Sequence, residues 1–534
     1  MKIQYTVNGE YRECEISNDD ILIDVNIANN RYIYKIKALT ELTLLSVKET
    51  IPYEIHKDDL FFLNGYQSWT TTLEAKINFR EKGVHKFKIL KDITLRPYGD
   101  YAFYAAKKDR LHSYDFFYVK GENEIFVLNN NFQNAFLITE MNKKLNRINF
   151  SSDVEKKHMN KDDEFVVFDF ERYSSYEEGL KVFNEKYPER SIPKIFGYTS
   201  WYNYYQNINE EIILRDLEAL DSRFDLFQID DGYQTFVGDW MDIDKTKFPN
   251  GLKPIVDKIH EKGLKAGLWL APFVAERNSR LLKIHPEWIK KDEKGQMVKV
   301  GVNWSGQFAL DLDNPEVQKY LKECFKFYVD MGFDLFKLDF LYSTAYVHDG
   351  VTHAEASHKT YKFLKDITKG KLILGCGATL SNIYQNFDYV RVGPDVSLIF
   401  DDHPFMRLLH RERPSTKNTI LNTIYRHFMN DRLFANDPDV FLLRDYNIKM
   451  NKEQKRSLVT MNALFGSLLM TSDDIATYDE EKKELLEKAL HLFKNAKDVG
   501  FETKDKYIHI YYTVDDVKHE FDYYPKKGVM KNER

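Results

Sequence analysis

The chain has 534 residues, of which 43% are hydrophobic and 30% are charged. This length exceeds the size at which a single core stops growing, so two or three domains are expected. The 77 basic and 83 acidic residues are mixed along the chain, giving a net charge of -6 and no basic stripe. The composition is therefore that of a globular protein and argues against nucleic acid as a partner.

Neither a signal peptide nor a membrane span is expected. The amino-terminal sequence MKIQYTVNGEYRECEIS has no apolar core of signal-peptide length, and no apolar run is long enough to cross a bilayer. Cys14, Cys324 and Cys376 match neither a disulfide framework nor a zinc-binding pattern. We therefore expect a cytoplasmic protein without a membrane partner.

Residues 1–192 consist mainly of short segments in which apolar and polar residues alternate. Asn, Gly and Asp separate these segments, and the pattern is typical of an antiparallel β-sandwich. One or two helices are expected around Ser175 to Tyr187. The predicted strand segments are YTVNGEYRECEI, RYIYKIKAL, ELTLLSVKE, VHKFKILKDITL, YAFYAAK, NEIFVLN, RINFSS and EFVVFDFERY.

Residues 193–495 show a different pattern, in which strand-like apolar runs alternate with helical stretches. This alternation predicts a parallel sheet, and eight strands over about 300 residues predict a (β/α)8 TIM barrel. Residues 496–534 return to alternation and are expected to form a small C-terminal β-domain. The eight predicted barrel strands are FGYTSWY, DLFQIDD, KAGLWLA, LFKLDFL, KLILGCG, YVRVGPD, VFLLRD and SLLMTSDD.

Two predicted barrel helices have clear boundary signals. Asn314, Pro315 and Glu316 provide an N-cap, a first-turn proline and a first-turn acid, and Gly332 ends the helix. A second helix begins after Asn209. Both are followed directly by a predicted strand, as the βα alternation requires.

Acidic residues follow four of the predicted barrel strands. Catalytic groups of such barrels lie at the carboxyl ends of strands, where loops reach the ligand. An isolated aspartate there usually caps a helix, but four strands that converge on one mouth favour a functional site. These residues are Asp230 and Asp231 at the end of the second strand, Asp339 near the end of the fourth, Asp395 at the end of the sixth, and Asp473 and Asp474 at the end of the eighth.

The fourth strand carries Lys337 and Asp339, two residues apart and hence on the same side of an extended strand. A lysine beside a carboxylate favours the ionised form, which a nucleophile needs at neutral pH. A purely structural ion pair is the alternative, but burying such a pair is often neutral or costly. We therefore predict a functional role for both residues.

Two other strand ends contain a break in the chain. Asp230 and Asp231 cannot both face inward on a regular strand, so the chain must turn, and the following glycine allows it. This pair could accept hydrogen bonds from sugar hydroxyls or bind a metal, and alone it decides nothing. After the sixth strand, the Gly-Pro sequence between Arg391 and Asp395 is expected to aim Asp395 over the mouth.

Eight short motifs follow one another along the chain: FGYTSWYNYY, FQIDDGYQ, GDW, GLWLAPF, FKLDFLY, LGCGA, RVGPDV and NDPD. They resemble those of glycoside hydrolase family 36, the bacterial α-galactosidases. They occur in the family's order, from the NGYQSW segment at residues 64–69 to about Asp474, and eight motifs in register make the resemblance specific.

The resemblance implies a retaining mechanism, with Asp339 as the nucleophile and Asp395 as the acid/base. The resemblance further implies that several other residues bind the substrate. The mechanism that it implies needs no metal or other cofactor. The matching positions are Asp230 and Asp231 for galactose hydroxyls, Lys337 and Arg391 for ring hydroxyls and the nucleophile, Cys376 for the sugar's 2-position, and Trp69, Trp201 and Trp269 as aromatic walls.

Some positions depart from the family pattern. Tyr198 and Thr199 stand where relatives often have Trp and Cys or Ser, and residues 234–237 vary in the family. These positions are expected to flank the pocket, so they bear on leaving-group preference and not on the chemistry.

Several alternatives remain open at this stage. An α-N-acetylgalactosaminidase or an α-galactosyl transferase could use the same fold. A metal-dependent barrel enzyme could use Asp230, Asp231 and Asp339, and a non-catalytic sugar-binding protein would need no acid/base. The expected partner is a small carbohydrate, and a homo-oligomer is possible.

Overall fold

The computed structural model describes residues 1–80, 100–102, 110–346, 350–401 and 412–534. Within these ranges the chain forms two antiparallel sheets, one long parallel sheet with helices between its strands, and a C-terminal antiparallel sheet. No helix in these ranges combines the length and the apolar character needed to span a bilayer. The predicted strand VHKFKILKDITL and most of YAFYAAK lie outside the described residues.

The amino-terminal part is formed by two antiparallel sheets that share a buried apolar cluster. Alternate residues face this cluster, for example Ile3, Tyr5 and Val7 of one strand, which explains the period-two pattern of the sequence. The first sheet contains, in order, Glu10–Cys14, Lys2–Val7, Leu42–Pro52, Arg147–Ser152, Leu137–Asn142 and Arg110–Tyr114, with His158–Met159 beside Leu42–Pro52. The second contains Ile21–Ala28, Arg31–Ala38, Glu164–Tyr173, Ile125–Asn129, Phe116–Lys120, Leu60–Leu63 and Leu73–Lys76.

The central part is built on a parallel sheet whose strands are almost completely buried. Buried on both faces, these strands are continuous apolar runs in the sequence, as expected for a parallel sheet covered by helices. In chain order the strands are Ile195–Thr199, Leu226–Ile229, Lys265–Leu270, Leu335–Leu338, Leu372–Gly375, Tyr389–Arg391, Ala435–Asp437, Val440–Phe441 and Leu468–Thr471. We number the first six as strands 1 to 6 and the last as strand 8.

The predicted seventh strand, VFLLRD, is wrong in its bounds. Two short pieces replace it: Ala435–Asp437 pairs with strand 6, and Val440–Phe441 pairs with strand 8. Pro438 lies between them and has no N–H to donate to a sheet ladder, so pairing stops there. Because these pieces are the two edges of the sheet and only two residues separate them, the sheet must curl until its edges meet.

The helices begin and end largely where the sequence signals lie. Asn314 and Asn209 each accept a hydrogen bond from the first turn of their helices, and Gly332 ends its helix with a φ of 111°. Both predicted helices are therefore confirmed, as is the one near Ser175. The α-helices are Tyr176–Lys186, Trp201–Tyr204, Glu210–Ala219, Lys253–Glu261, Arg280–Ile284, Pro315–Met331, Ser343–Tyr346, His353–Ile367, Thr416–Tyr425, Lys452–Phe465 and Glu480–Asn495.

Smaller elements complete the described chain. A three-stranded antiparallel sheet projects from the loops after strand 3, and the C-terminal residues form the expected antiparallel sheet. Short 3-10 helices are Pro286–Trp288, Ser381–Ile383, His427–Met429 and Ile475–Thr477. The projecting sheet contains Val274–Glu276, Gln307–Ala309 and Lys299–Gly301, and the C-terminal sheet contains Lys497–Thr503, Ile508–Val514, Val517–Tyr524 and Val529–Lys531.

A loop of the amino-terminal part, residues 64–72, is anchored on the parallel-sheet part by buried hydrogen bonds. The Ser68 hydroxyl accepts from the Ala378 N–H at 2.9 Å, and the Ser68 N–H donates to the Ala378 carbonyl at the same distance. The fully buried Arg426 guanidinium donates to backbone carbonyls of the loop, including those of Ser68 at 2.6 Å and Gln67 at 3.1 Å. This anchor fixes the position of Trp69.

Replacing Arg426 with Met is expected to lower the free energy of unfolding by about 3 kcal/mol, because several buried carbonyls would lose their donor. Urea unfolding measures this effect. Arg432→Met is the matched control, since Arg432 also donates to backbone carbonyls, those of Asn184 and Tyr187, but its side chain is 19% exposed. Equal losses in the two variants would contradict the anchoring role.

Candidate active site

The residues predicted to act on the substrate gather at the carboxyl edge of the parallel sheet. Asp230, Asp339 and Cys376 directly follow strands 2, 4 and 5, and Asp395 lies four residues beyond strand 6. Trp269 is the penultimate residue of strand 3. Because all these strands are parallel, their carboxyl ends meet at one edge.

Asp339 is held by one hydrogen bond on each carboxylate oxygen. The Trp269 indole N–H donates to Oδ2 at 3.0 Å, and the Phe340 backbone N–H donates to Oδ1 at 2.8 Å. Burial raises the pKa of Asp339, while the charge of Lys337 and these two hydrogen bonds oppose the rise. The contacts fix the orientation of the carboxylate and favour its ionised form.

Asp395 has a different environment. Its side chain is 43% exposed and accepts a hydrogen bond from Arg391 at 3.1 Å. Removal from bulk water raises the pKa of Asp395, Arg391 opposes this, and the negative charge of Asp339 adds to the rise. The charge of Asp339 therefore acts on Asp395, whose side chain is partly open to solvent.

Arg391 is shared among three carboxylates. Besides Asp395, its guanidinium contacts Asp437 at 2.9 Å through Nε and Asp439 at 2.9 Å through Nη2. Two buried negative charges thus balance the cation beside Asp395. Burial, together with the charge of Asp339, raises the pKa of Asp395 although its carboxyl group touches an arginine.

Lys337 pairs with Asp230 and not with Asp339. Its ammonium donates to Asp230 Oδ2 at 2.7 Å, and both side chains are buried. Burial disfavours the charged lysine, but the charges of several neighbours, Asp230 first and Asp339 among them, together outweigh this and raise the pKa of Lys337. Lys337 therefore acts on Asp339 only at longer range, through the charge of its ammonium group. It is not the adjacent partner that the sequence predicts. Thr199 also donates to Asp230, at 3.3 Å.

Asp231 lies at the predicted turn and accepts three side-chain hydrogen bonds. Gln234 donates to Oδ1 at 2.6 Å, and Gln206 and the Trp304 indole each donate to Oδ2 at 2.9 Å. The turn itself is confirmed, because strand 2 ends at Ile229 and Gly232 has a φ of 123°. These donors fix a carboxylate at the same edge as Asp230.

Aromatic side chains surround these acids. Trp269 lies 6.0 Å from Trp304 between ring centroids, and Trp304 lies 5.5 Å from Phe340. Trp69, on the anchored loop, contacts the same Phe340 ring edge-to-face at 5.5 Å. Trp201 follows strand 1 at the same edge of the sheet. The elements that carry the three predicted tryptophans therefore meet at this edge of the sheet. Trp304 lies there as well.

Cys376 is buried directly after strand 5. Burial raises the pKa of its thiol, and the charges of Arg391, Asp339 and Lys337 act on it as well. These influences locate the thiol among the charged groups of the site. At neutral pH it is therefore an uncharged, small side chain.

Two expectations about nearby positions are wrong. Tyr198 does not flank the site, because it is fully buried and its hydroxyl donates to Asp216 of the helix Glu210–Ala219. Asp473 is structural, because its carboxylate accepts from the Leu443 and Arg444 backbone N–H groups and pairs with the Arg444 guanidinium at 3.2 Å. A strand-end aspartate with so many internal donors has little capacity left for a ligand.

Sequence reasoning missed several residues of this site. Gln206, Gln234 and Trp304 act through Asp231, and Asp437 and Asp439 act through Arg391. Two of these groups had a sequence signal: Gln234 belongs to the FQIDDGYQ motif and to the residues expected to flank the pocket, and Asp437 and Asp439 belong to the NDPD motif. The donors to Asp231 come from three different loops, and no spacing rule connects them.

The metal-dependent alternative lacks a ligand set in the described ranges. Within them, no group of three His, Cys, Asp or Glu side chains is arranged to hold a metal ion. Asp230 is already bound by Lys337, and Asp231 by three neutral donors. The partners of these two carboxylates are thus hydrogen-bond donors of the protein.

Comparison with known proteins identifies relatives of the central region. The family described as Melibiase matches residues 171–391. An α-galactosidase of Escherichia coli is 27% identical over 194 residues, which cover 34% of this chain and 27% of that protein. The match thus spans less than a third of this curated relative's length.

Solved structures resemble nearly the whole fold. An α-galactosidase from Thermus thermophilus, in complex with p-nitrophenyl α-D-galactopyranoside, has a TM-score of 0.73 and 23% identity, covering 97% of this chain and 98% of that one. The family 36 α-galactosidase AgaA from Geobacillus stearothermophilus has a TM-score of 0.59 and 12% identity, covering 94% and 74%. At these identities the likeness concerns the fold. The chain is thus similar to the Melibiase family over residues 171–391, and to solved α-galactosidase structures, including one of glycoside hydrolase family 36, in its fold.

Proposed function

We propose that the protein is a retaining exo-α-galactosidase that hydrolyses terminal α-D-galactosyl residues of oligosaccharides. The observation that carries the proposal is the difference between its two central carboxyl groups. Asp339 is fixed by two hydrogen-bond donors, whereas Asp395 is accessible and its pKa is raised in part by the charge of Asp339. Two carboxyl groups with distinct environments are what double displacement requires.

In the first step, an oxygen of the Asp339 carboxylate attacks the anomeric carbon. The bond from that carbon to the leaving oxygen breaks, and Asp395 gives its proton to this oxygen. In the second step, Asp395 removes a proton from water, and the water oxygen displaces Asp339. The product keeps the α configuration. Such chemistry needs carboxyl groups about 5 to 5.5 Å apart.

We further propose that the remaining site residues bind the galactose ring. Asp230 and Asp231 would accept hydrogen bonds from its 4- and 6-hydroxyls, and Lys337 and Arg391 would donate to ring hydroxyls. Cys376 would lie near the 2-position. Their fixed positions at one sheet edge support this assignment, because preorganised donors and acceptors cost little to align on binding. Trp69, Trp201 and Trp269 would form the apolar walls around the sugar.

The proposal also covers the whole chain. It includes a closed (β/α)8 barrel over residues 193–495, a β-sandwich domain over residues 1–192 and a C-terminal β-domain over residues 496–534. It includes a cytoplasmic location and action on soluble galactosides.

The function is tested with nitrophenyl α-galactoside and its 2-acetamido analogue. Rapid hydrolysis of the first alone supports the galactosidase, and preference for the second indicates an α-N-acetylgalactosaminidase. NMR of the first-formed anomer decides between retention and inversion, and product analysis with an added sugar detects transfer. Activity that disappears on exhaustive chelation would contradict the mechanism.

The alkaline limb of the pH–rate profile is expected to move to lower pH when Asp439 is replaced by Asn. Asp439 shares Arg391 with Asp395, and its own pKa is raised to about 6, mainly by burial. Without its negative charge, Arg391 would act more strongly on Asp395, so the acid would lose its proton at a lower pH. The other charged groups that act on Asp395 are Asp339, Lys337 and Asp230, all left in place.

The profile of kcat/KM against pH measures this shift. Asp473→Asn is the matched control, because it removes an equally buried carboxylate that is paired with a different arginine, Arg444. An unchanged alkaline limb in Asp439→Asn, or the same shift in both variants, would show that Asp439 does not act on the acid through Arg391.

A further inference from the structure

Tyr205 has an unusual backbone for an aromatic residue. Its φ is 51°, in the left-handed region that large side chains rarely adopt. The ring is not buried to compensate for this, since the residue is 39% exposed. Strain of this kind is retained only where the surrounding structure imposes it, and it is concentrated at functional sites.

The chain on both sides of Tyr205 is held in place. The Tyr205 N–H donates to the Trp201 carbonyl at 2.7 Å, and the Gln206 side chain donates to Asp231 at 2.9 Å. The Lys247 ammonium donates to the Gln206 carbonyl at 2.8 Å. A Cβ on Gly232 would come within 2.7 Å of that carbonyl oxygen, so the close approach needs glycine.

The position of Tyr205 links both halves of the site. Gln206, the next residue, binds Asp231, which belongs to the sugar-binding set. The Tyr202 hydroxyl, on the same short helix as Trp201, donates to Asp439, and the Val396 N–H, next to Asp395, donates to the same carboxylate at 2.7 Å. The ring meets Trp201 edge-to-face, with 5.1 Å between centroids. Tyr205 and Trp201 therefore form an aromatic corner on the Asp395 side, where a leaving group would receive its proton.

We propose that Tyr205 is the stacking surface for the sugar ring that leaves from galactose, with Trp201 as its second wall. This inference rests on the proposed function and extends it to the recognition of the leaving group. A pyranose presents an apolar face of C–H groups, which an exposed aromatic face can cover. A ring fixed in advance loses little conformational entropy when the sugar binds.

The test compares two substrates that share galactose but differ in the leaving group. α-Galactosyl fluoride has no second ring, whereas the disaccharide galactosyl-α-1,6-glucose has one. In Tyr205→Asn, kcat/KM for the disaccharide is expected to fall about tenfold, while that for the fluoride changes less than about twofold. Tyr205→Phe keeps the ring and is expected to retain wild-type values on both substrates.

Thermal stability provides a second readout. Asparagine is enriched where a positive φ is combined with a positive ψ, whereas Tyr205 has a ψ of -132°. Neither residue is favoured by this backbone, so Tyr205→Asn is expected to keep a thermal stability close to that of the wild type. Tyr511→Asn, which removes a tyrosine of similar exposure (45%) from the C-terminal sheet, is the control and should leave both substrates unaffected.

Several results would overturn the inference. Equal losses on fluoride and disaccharide, no loss on either, or a Tyr205→Phe variant as impaired as Tyr205→Asn would each exclude stacking of the leaving sugar. A wild-type protein inactive on both substrates would instead refute the galactosidase function itself.

Discussion

Asp339→Asn is expected to lower kcat/KM for nitrophenyl α-galactoside by roughly ten-thousand-fold or more, the scale seen when a covalent nucleophile is removed. An amide cannot form the glycosyl ester. The substitution keeps the shape of the side chain, so the hydrogen bonds from Trp269 and Phe340 are only partly disturbed. The loss is expected in kcat with every leaving group, because formation of the covalent intermediate needs the carboxylate in each case.

The control for Asp339→Asn lies at the other end of the same strand. Asp334 precedes strand 4 and pairs with His260 at 2.8 Å and Lys371 at 3.1 Å, remote from the carboxyl edge. Asp334→Asn is therefore expected to affect stability and leave kcat within a few-fold of wild type. Steady-state kinetics on folded protein, checked by circular dichroism, measures both variants. Residual activity of Asp339→Asn above a hundredth of wild type would exclude Asp339 as the nucleophile.

Asp395→Asn is expected to show a loss that depends on the leaving group. General acid catalysis typically contributes about a hundred- to ten-thousand-fold, so a disaccharide substrate should lose activity on that scale. α-Galactosyl fluoride needs no proton on its leaving atom, and its first step should be nearly unaffected. Azide can then attack the intermediate without a general base, so added azide should restore turnover.

Rates for the three classes of leaving group, with and without azide, test this assignment. The Asp395 carboxyl group is accessible to water, as an acid/base must be in the second step. Uniform losses across all leaving groups, or no response to azide, would contradict the role of Asp395. A parallel experiment with Asp339→Asn should show no such dependence on the leaving group.

Local patterns were sufficient to predict most of the fold and the main acids of the site. Asn314 and Gly332 bound their helix as expected, because capping uses only neighbouring backbone groups. Asp230, Asp339 and Asp395 could be located because strand ends in a parallel sheet share an edge. The turn at Gly232 followed from two adjacent acids that cannot face the same way on a strand.

The errors concern interactions between residues far apart in sequence. Lys337 was expected beside Asp339, two residues away, yet it pairs with Asp230, 107 residues away. The seventh strand is predicted at VFLLRD, but the sheet uses the residues on either side of Pro438. Trp304 carries a positive φ of 51° in a loop, a position that apolar periodicity cannot reveal.

The anchored loop of residues 64–72 has a consequence for biosynthesis. Ser68 hydrogen-bonds to Ala378 and Arg426, which follow it by 310 and 358 residues. At about 5 to 20 residues per second, a ribosome needs roughly 20 to 70 s to make the intervening chain. During most of translation, the nascent loop with its tryptophan therefore lacks Ala378 and Arg426, two residues that anchor it in the folded protein. A molecule whose synthesis stops early cannot assemble a complete pocket, however well its first sheets have folded.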